Sequence, residues 1–283
     1  MKEREFTKWL RAKDFSDATI KRTVRYAKYI ESQGLNLDAI ETEEDVLDYF
    51  SRMREKGVSR KTLNNHVKVI NRYLQFRGMD IKIPYYREFR SEDIIILRDE
   101  EVERLLGVKW TRPDIHWRNQ AMLHVLFATG VRIAELIALN LQDLIYDPAL
   151  GMHIIKVRHG KWEKSREVPV PPKVVRIVEE YRKVRIQSDP NAMFTTPSGR
   201  VTHSYARRIM KLAGIAAGVP YFHAHLARHW RAVKWLESGV DLETIRRLMG
   251  HSSLKVTQIY LKARTRENAL KEVMKDRFFG SWK

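Results

Sequence analysis

The sequence predicts a mainly helical protein with a small antiparallel β-sheet, organised as two domains. Apolar residues recur at helical spacing through most of the chain, as in residues 16–33 and 59–77. Residues 143–170 instead cluster β-forming side chains around a turn at 159–162, which predicts a hairpin. The helical pattern breaks between residues 80 and 97, and a length of 283 residues accommodates two modest domains.

The charge of the chain points to a polyanionic partner. Lysine and arginine number 53 against 35 aspartate and glutamate, a formal net charge of +18. Nucleic acid is favoured over an anionic membrane, because no apolar run approaches the ~20 residues that span a bilayer. The first residues lack the apolar region of a signal peptide. There is no cysteine, which excludes disulfides and thiolate metal sites, so we expect a cytoplasmic protein.

Residues 1–80 are expected to form the first domain, built from helices that end at Gly34, Gly57 and Gly78. The helix that ends at Gly57 is predicted to begin at Thr42, where residues 42–45 come close to a capping box. A helix face rich in lysine and arginine is ordinarily just a solvated surface. The overall positive excess nevertheless favours contact with phosphates. The candidate DNA-binding residues are Lys21, Arg22, Arg25, Lys28, Arg60, Lys61, Lys68 and Arg72 in this domain, and Arg207, Arg208 and Lys211 in the second.

Residues 81–97 are expected to be an interdomain linker, and residues 98–283 the second domain. The second domain ends in a tail, residues 266–283, that carries an apolar stripe at helical spacing. Such a stripe needs a groove to fill. The groove belongs either to the same domain or to a neighbouring copy of the chain.

A strongly apolar helix over residues 114–129 ends at Gly130. Arg132 follows on the first turn of the next helix, and Glu135 is three positions further on. Taken alone, this pair would be a surface ion pair that adds little stability.

A cluster of chemically versatile residues lies between His225 and Tyr260. His225 and Arg228 are three positions apart on a predicted helix, so both side chains leave the same face. The next helix begins at Asp241, an N-cap-type residue, and ends at Gly250. His251 therefore lies just beyond it, where a turn can aim it back at that face. Arginine binds phosphate bidentately, histidine transfers protons near neutral pH, and tyrosine can attack as a nucleophile. A phenol with a pKa near ~10 needs nearby cations to do so. The arrangement suits a phosphodiester.

The order and spacing of His225, Arg228, Gly250-His251 and Tyr260 resemble the second box of the tyrosine recombinases, the family of phage integrases and Xer-type recombinases. Residues 128–136 resemble the first box. The similarity covers roughly residues 95–265, and residues 1–80 resemble the family's DNA-gripping domain more weakly. The resemblance implies a two-domain clamp around a specific duplex site, with an α+β catalytic domain and neither cofactor nor metal.

The resemblance also implies DNA cleavage and rejoining through a 3′-phosphotyrosyl intermediate. Tyr260 would attack the scissile phosphate and release a 5′-hydroxyl. Arg132 and Arg228 would bind the non-bridging oxygens, and His251 would hydrogen-bond one of them. The acid/base candidates are His225 and a lysine on the hairpin.

Lys161, after Gly160, fits the position of that lysine best, although Trp162 stands where the family has glycine. Lys164 is the alternative. Glu135 would orient Arg132, and His229 would pack or support the site from behind. Trp230 stands where the family has a small hydroxyl residue, a departure that bears on local packing.

The family assembles as cyclic tetramers on DNA, so the resemblance implies a monomer in solution and a tetramer on its site. The implied biological role is resolution of chromosome or plasmid dimers, or integration of a mobile element.

Three other classes of protein compete with this interpretation. A non-catalytic helical DNA-binding protein would explain the charge and leave the boxes coincidental. A type IB topoisomerase-like nicking-closing enzyme would share the tyrosine chemistry. A zinc hydrolase could use His225 and His229, but Arg228 stands between them and the glutamate base of such motifs is missing.

Overall fold

A computed structural model describes residues 1–87, 95–158 and 165–251, together with Ser253, Leu254, Thr257, Gln258 and Tyr260. Across these residues the fold is mainly helical with a small antiparallel sheet, as the sequence predicts. The chain divides into two compact units, Met1–Ser91 and Glu92–Lys283. None of the helices in the described ranges is long and apolar enough to cross a membrane.

The N-terminal unit packs its helices around one apolar core that includes Phe6, Leu37 and Leu74. α2 and α4 begin at Ser16 and Ser59, whose hydroxyls accept hydrogen bonds from backbone N–H groups three residues on. The helices of this unit are α1 (Glu3–Ala12), α2 (Asp17–Ser32), α3 (Leu47–Glu55) and α4 (Arg60–Phe76).

The helix predicted to begin at Thr42 starts later than the sequence suggests. The Asp45 carboxylate accepts hydrogen bonds from the backbone N–H groups of Glu41 and Thr42, both at 2.8 Å. This holds the chain in a turn, and a 3₁₀ segment, Glu44–Val46, precedes α3.

The described ends of the predicted linker are packed rather than free. Asn71 exchanges two hydrogen bonds with the backbone of Ile83, and Asn64 does the same with Tyr86. These amides anchor residues 81–87 to α4. On the other side, Leu97 is buried in the core of the C-terminal unit. Residues 88–94 lie outside the described ranges.

The C-terminal unit is centred on α6, which is apolar on all sides and buried from Arg118 to Thr129. α6 contacts α8, α10 and β3. Its helices are α5 (Asp99–Leu106), α6 (Pro113–Thr129), α7 (Ile133–Ala138), α8 (Pro172–Val184), α9 (His203–Ala216), α10 (Ala224–Glu237) and α11 (Leu242–Met249).

The main sheet has three antiparallel strands in the order β1-β2-β3, with Ile155 of the central strand opposite Leu144 and Val168. The β-rich stretch therefore forms antiparallel strands as predicted. Residues 159–164 lie outside the described ranges. A two-stranded ribbon lies between α8 and α9. The strands are β1 (Leu144–Asp147), β2 (Met152–Val157), β3 (Arg166–Val170), β4 (Thr195–Thr196) and β5 (Gly199–Arg200).

Trp230, the unusual residue on α10, fastens that helix to α5 and α6. Its indole Nε1 donates a hydrogen bond of 2.8 Å to Asp99 at the start of α5. Its ring packs edge-on against Phe127, with ring centroids 5.6 Å apart. A small hydroxyl residue could make neither contact, so the departure at this position is one of packing.

Candidate active site

Two helix ends and one arginine form the centre of the site. Gly130 ends α6 and Gly250 ends α11, each in the left-handed conformation at a φ of +62°. The Arg228 guanidinium, only 3% exposed, donates hydrogen bonds to the carbonyl oxygens of Gly130 and Met249. A cation at the carboxyl end of a helix is favourable, because the helix dipole is negative there. Arg228 thereby ties α10 to both helix ends.

Arg132 also contacts the end of α11, from the start of α7. It is the N-cap residue of α7 and lies just before the predicted first turn. Its guanidinium donates to the Gly250 carbonyl at 2.6 Å and to Glu135 Oε1 at 2.8 Å. About a third of the side chain is exposed, at 34%. Arg132 is therefore the arginine of the pair that a ligand can reach from solvent.

Glu135 is held by a further arginine that the sequence did not single out. Arg166, at the start of β3, donates to both Glu135 oxygens at 3.0 and 2.7 Å and to the Leu248 carbonyl at 2.7 Å. Burial would raise the pKa of Glu135, but the hydrogen bonds and charges of Arg166 and Arg132 lower it to about 2. The carboxylate stays ionised and fixes Arg132 in place.

A signal for Arg166 is present in the sequence. Arg166, Val168 and Val170 alternate along β3, so all three side chains point to the same face, and both valines are buried. A charged residue on the buried face of a strand requires a partner. Periodicity alone does not say that the partner is Glu135.

Tyr260 reaches this centre within its own chain. Its ring is 1% exposed and packs with Val233, Leu236 and Met249 in a small cluster apart from the main core. Burial raises the pKa of the Tyr260 hydroxyl, and the charges of Arg228 and Arg132 oppose that rise. The hydroxyl oxygen lies 2.9 Å from Nδ1 of His229.

The two histidines of α10 occupy different positions. His225 is exposed in the first turn of the helix, and partial desolvation together with the charge of Arg228 lowers its pKa. His229, one turn further on, is more deeply placed, and burial with the neighbouring His225 and Arg228 lowers its pKa to about 4. The sequence predicts only a packing or supporting role for His229, so its contact with Tyr260 is an addition.

His251 lies just past Gly250, as expected from the helix end. Its ring is buried and stacks near the Tyr260 ring with centroids 6.2 Å apart. Nδ1 is 3.0 Å from the hydroxyl of Thr257, a partner that the sequence analysis missed. Burial and the charge of Arg228 lower the pKa of His251 to about 3, so the ring is neutral at pH 7. If the Thr257 hydroxyl donates to Nδ1, Nε2 carries the proton and can donate to a phosphate oxygen.

A basic cleft adjoins His225. Its wall is α9, and the exposed side chains of Arg207, Arg208 and Lys211 line it with His203 and His223. The predicted DNA-binding residues of α9 thus share one cleft with a predicted catalytic histidine. Lys161 and Lys164 lie outside the described residues.

The basic residues predicted on the N-terminal unit are exposed on α2 and α4, except for Arg72. Arg72 donates a hydrogen bond of 3.0 Å to Thr23 and lies over the Phe15 ring at 4.5 Å. Lys28 is paired with Glu3 at 2.9 Å. Arg60 donates a hydrogen bond of 3.3 Å to the Arg87 carbonyl. The other predicted cations of this unit are exposed, namely Lys21, Arg22, Arg25, Lys61 and Lys68.

Within the described residues, no group of three or more histidine, aspartate or glutamate side chains is arranged to hold a metal ion. The zinc alternative required His229 as a ligand. Its Nδ1 instead contacts the Tyr260 hydroxyl.

The sequence matches the phage integrase family over residues 96–267, which is more than half of the chain. The tyrosine recombinase XerA of Thermococcus kodakarensis is 30% identical, over 91% of this chain and 89% of its own. XerA of Pyrococcus furiosus is 28% identical over 86% and 84%. XerD of Oceanobacillus iheyensis is 30% identical over 76% of both chains.

Solved structures agree in fold. A crystal structure of XerA recombinase covers 96% of both chains at 25% identity, with a TM-score of 0.54. XerH bound to its difH substrate before cleavage has a TM-score of 0.66 at 18% identity, over 87% of this chain and 76% of its own. A lambda integrase dimer bound to a core site has a TM-score of 0.70 at 14% identity, over 93% and 77%. The chain therefore belongs to the phage integrase family and is a tyrosine recombinase, an enzyme that cleaves and rejoins duplex DNA at specific sites.

Proposed function

We propose that this recombinase cleaves its site with Tyr260 as the nucleophile and forms a 3′-phosphotyrosyl link with release of a 5′-hydroxyl. The observation that supports the proposal is the position of the Tyr260 ring. It is buried beside His251, and the positive charges of Arg228 and Arg132 act on its hydroxyl. A tyrosine so surrounded has cations that favour its anion and donors for a phosphate.

The arginines act as electrophilic support. Arg132, partly exposed, receives the phosphate first, and its bond to Glu135 fixes the direction of its guanidinium. Arg228 adds a buried positive charge behind it. Preorganised donors of this kind stabilise the extra charge on the non-bridging oxygens in the transition state. Neutral His251 donates a further hydrogen bond from Nε2.

The leaving 5′-oxygen needs a proton. We assign this to Lys161, with Lys164 as the alternative, on the strength of the family resemblance. His225 is the other acid/base candidate, and its place at the mouth of the basic cleft supports contact with DNA. One phosphate ester replaces another, so the reaction consumes no ATP and needs no cofactor.

The DNA partner is a duplex recombination site gripped by both units. The net charge of +18 and the exposed lysines and arginines of α2, α4 and α9 support this arrangement. The substrate is cellular DNA, so we place the activity in the cytoplasm. The biological role is dimer resolution or integration of a mobile element.

Trapping the covalent intermediate tests the nucleophile. Tyr260→Phe removes only the hydroxyl, so the variant should bind a nicked suicide duplex normally and form no adduct that survives denaturing gel electrophoresis. Tyr146→Phe, at an exposed tyrosine on β1, is the matched control and should form adduct like the parent. Adduct formation by Tyr260→Phe would overturn the assignment, and absence of adduct from the parent would favour a non-catalytic DNA-binding protein.

Assembly is a separate part of the proposal: a monomer in solution and a cyclic tetramer on DNA, with the tail of residues 266–283 docked in a neighbour. These residues lie outside the described part of the chain. Deleting them should leave binding to one site intact and abolish synapsis and strand exchange. Supercoil relaxation without strand exchange by the full chain would favour the topoisomerase-like alternative. Loss of simple binding after the deletion would indicate that the tail packs on its own domain.

A further inference from the structure

The nucleophile proposed above makes a hydrogen bond to a residue with no assigned part in the chemistry. His229 Nδ1 lies 2.9 Å from the Tyr260 hydroxyl oxygen, and the ring centroids are 5.5 Å apart. His229 is on α10, directly after Arg228 and one turn after His225. The contact therefore joins the reacting oxygen to the helix that carries the phosphate-binding arginine.

A tyrosine that attacks phosphorus must lose its proton, so the described surroundings can be searched for an acceptor. Arg132 and Arg228 are cations and cannot accept. Glu135 is ionised, but it is held by Arg132 and Arg166. His251 uses Nδ1 on the Thr257 hydroxyl. His229 is the base among the described side chains that is in hydrogen-bond contact with the Tyr260 oxygen.

The protonation state of His229 suits an acceptor. Burial and the nearby His225, Arg228 and His223 lower its pKa to about 4, so at pH 7 the ring is neutral and one nitrogen has a free lone pair. With the proton on Nε2, Nδ1 faces the phenol as an acceptor. In this tautomer the hydrogen bond runs from Tyr260 to His229.

We propose that His229 is the general base that takes the Tyr260 proton as the hydroxyl oxygen attacks the scissile phosphorus. The inference rests on the proposed nucleophile. A bond forms between the tyrosine oxygen and phosphorus, and the bond from phosphorus to the 5′-oxygen breaks with its electron pair on that oxygen. The phenolic proton moves to Nδ1 of His229, and the 5′-oxygen takes a proton from a different donor. In rejoining, the imidazolium returns its proton to the departing tyrosine oxygen.

The surroundings of His229 make it a weak base in the free protein, and DNA changes that. Burial above all, and after it the positive charges of His225 and Arg228, oppose protonation of His229 while the site is empty. A bound phosphodiester brings negative charge beside the arginines and offsets this repulsion. The Tyr260 hydroxyl, whose pKa burial raises, stays protonated until then. Proton transfer is thereby linked to occupation of the site by DNA.

This assignment separates the duties of two histidines one turn apart on α10. The His225 ring centroid is 5.9 Å from that of His229, and His225 faces the basic cleft. His225 is placed to meet DNA, whereas His229 is placed to meet the nucleophile. The two should therefore respond differently to changes in the leaving group.

The first test replaces the base by a neutral amide of similar reach. His229→Gln should slow adduct formation ~10²-fold or more, the usual contribution of a general base, with duplex binding and thermal midpoint close to the parent. His229→Ala should be slowed at least as much. A His229→Gln variant that cleaves as fast as the parent, or faster, would overturn the proposal. It would show that the hydrogen bond only holds the tyrosine in a resting position.

A sulfur leaving group distinguishes base from acid. A duplex with sulfur in place of the bridging 5′-oxygen at the scissile phosphate releases a thiolate, which leaves without a proton. His229→Gln should remain slow on this duplex, because its defect lies in the nucleophile. Full rescue by sulfur would place His229 on the leaving-group side and refute the inference.

A more acidic phenol completes the test and excludes a merely structural defect. A fluorinated tyrosine at position 260 ionises more readily, so it should restore much of the rate lost in His229→Gln. Failure of this rescue would count against proton transfer to His229. If Tyr260→Phe itself forms adduct, the nucleophile assignment fails; if Tyr260→Phe is inactive and His229→Gln is fully active, only the role of His229 fails.

Discussion

Glu135 shows how one carboxylate orders two arginines from distant parts of the chain. Arg132 comes from the start of α7 and Arg166 from the start of β3, and both donate to the same carboxyl group. Arg166 also holds the Leu248 carbonyl near the end of α11. Glu135 is not expected to touch the phosphate. Through Arg166 and Arg132 it nevertheless connects β3 to α7 in the first box and to the end of α11 in the second box.

Arg166 should be needed for rate more than for DNA affinity. Arg166→Gln leaves the buried Glu135 charge with less compensation, which costs ~3–5 kcal/mol when one partner of a buried pair is removed. Denaturant unfolding should show that loss, and the cleavage rate should fall while DNA binding remains. The double variant Arg166→Gln/Glu135→Gln should recover stability without recovering rate. Recovery of both would mean that Arg166 serves stability alone.

The buried histidines should make the protein labile to mild acid. In the folded chain the pKa is about 4 for His229 and about 3 for His251, against 6.5 for an ordinary histidine. The unfolded chain therefore binds more protons below about pH 6.5, and stability falls as pH drops from there toward 4 and 3. Glu135, with its pKa lowered from 4.5 to about 2, adds a second loss between those values.

Denaturant midpoints between pH 7.5 and 4.5 measure this slope. His251→Gln removes the titrating group, so its midpoint should change less over the range than that of the parent. An unchanged slope in His251→Gln would contradict the assignment of the acid lability.

At the scale of elements, the sequence predicts where most of the helices end. It does not predict which side chains connect those ends to one another. Asp241 caps α11 and Gly250 ends it as predicted, because capping and left-handed glycines are local properties. The main sheet likewise follows its β-forming residues. The late start of α3 was missed because it depends on where the Asp45 carboxylate turns, which helical periodicity does not encode.

The candidate site divides in the same way. The boxes supply Arg132, Arg228, His251 and Tyr260, and the structure brings them around one corner. The contacts that hold them were not predicted, because the position of Arg166 on β3 signals only that it needs a partner, and the bond from Thr257 to His251 depends on how the chain turns after Gly250. Pattern predicts which residues have chemistry to perform, and packing decides what orients them.

Gly130 is where backbone conformation and close packing coincide. At its φ of +62°, a Cβ would lie 2.8 Å from Met249 Cε. Gly130→Ala should therefore cost the ~1–3 kcal/mol of a strained backbone and a smaller further amount for shifting the end of the buried Met249 side chain, and it should slow cleavage by displacing the carbonyls that hold Arg228. Gly218→Ala is the matched control, because its φ is +68° and nothing lies within 4 Å of the added Cβ. Its unfolding should show strain alone, with a normal cleavage rate; equal losses in both variants would contradict the packing argument.

At the scale of the molecule, the proposed DNA contacts are distributed over both units. The exposed cations of α9 line the cleft beside His225, whereas those of α2 and α4 belong to a separate compact unit. Each neutralised phosphate contact should lower the affinity and reduce the slope of log K against log salt by about one.

Arg207→Gln/Lys211→Gln tests the cleft, and Lys173→Gln/Arg176→Gln, at exposed residues of α8, is the control of equal charge. Fluorescence anisotropy at several salt concentrations should show a shallower slope for the α9 variant and little change for the α8 variant. Equal slopes in the two variants would mean that net charge, rather than this cleft, attracts the DNA.

Tyr260 is both a core side chain and the proposed nucleophile. Cleavage by this enzyme therefore requires that the cluster around Tyr260 stay folded. The cluster around it, with Val233, Leu236 and Met249, is smaller than the main core and distinct from it. Small clusters open at a lower free-energy cost than the whole domain. On heating, cleavage should therefore fail some degrees before DNA binding does, and reappear on cooling. Over that temperature interval the protein would bind its site without cleaving it, and it would act as a reversible repressor.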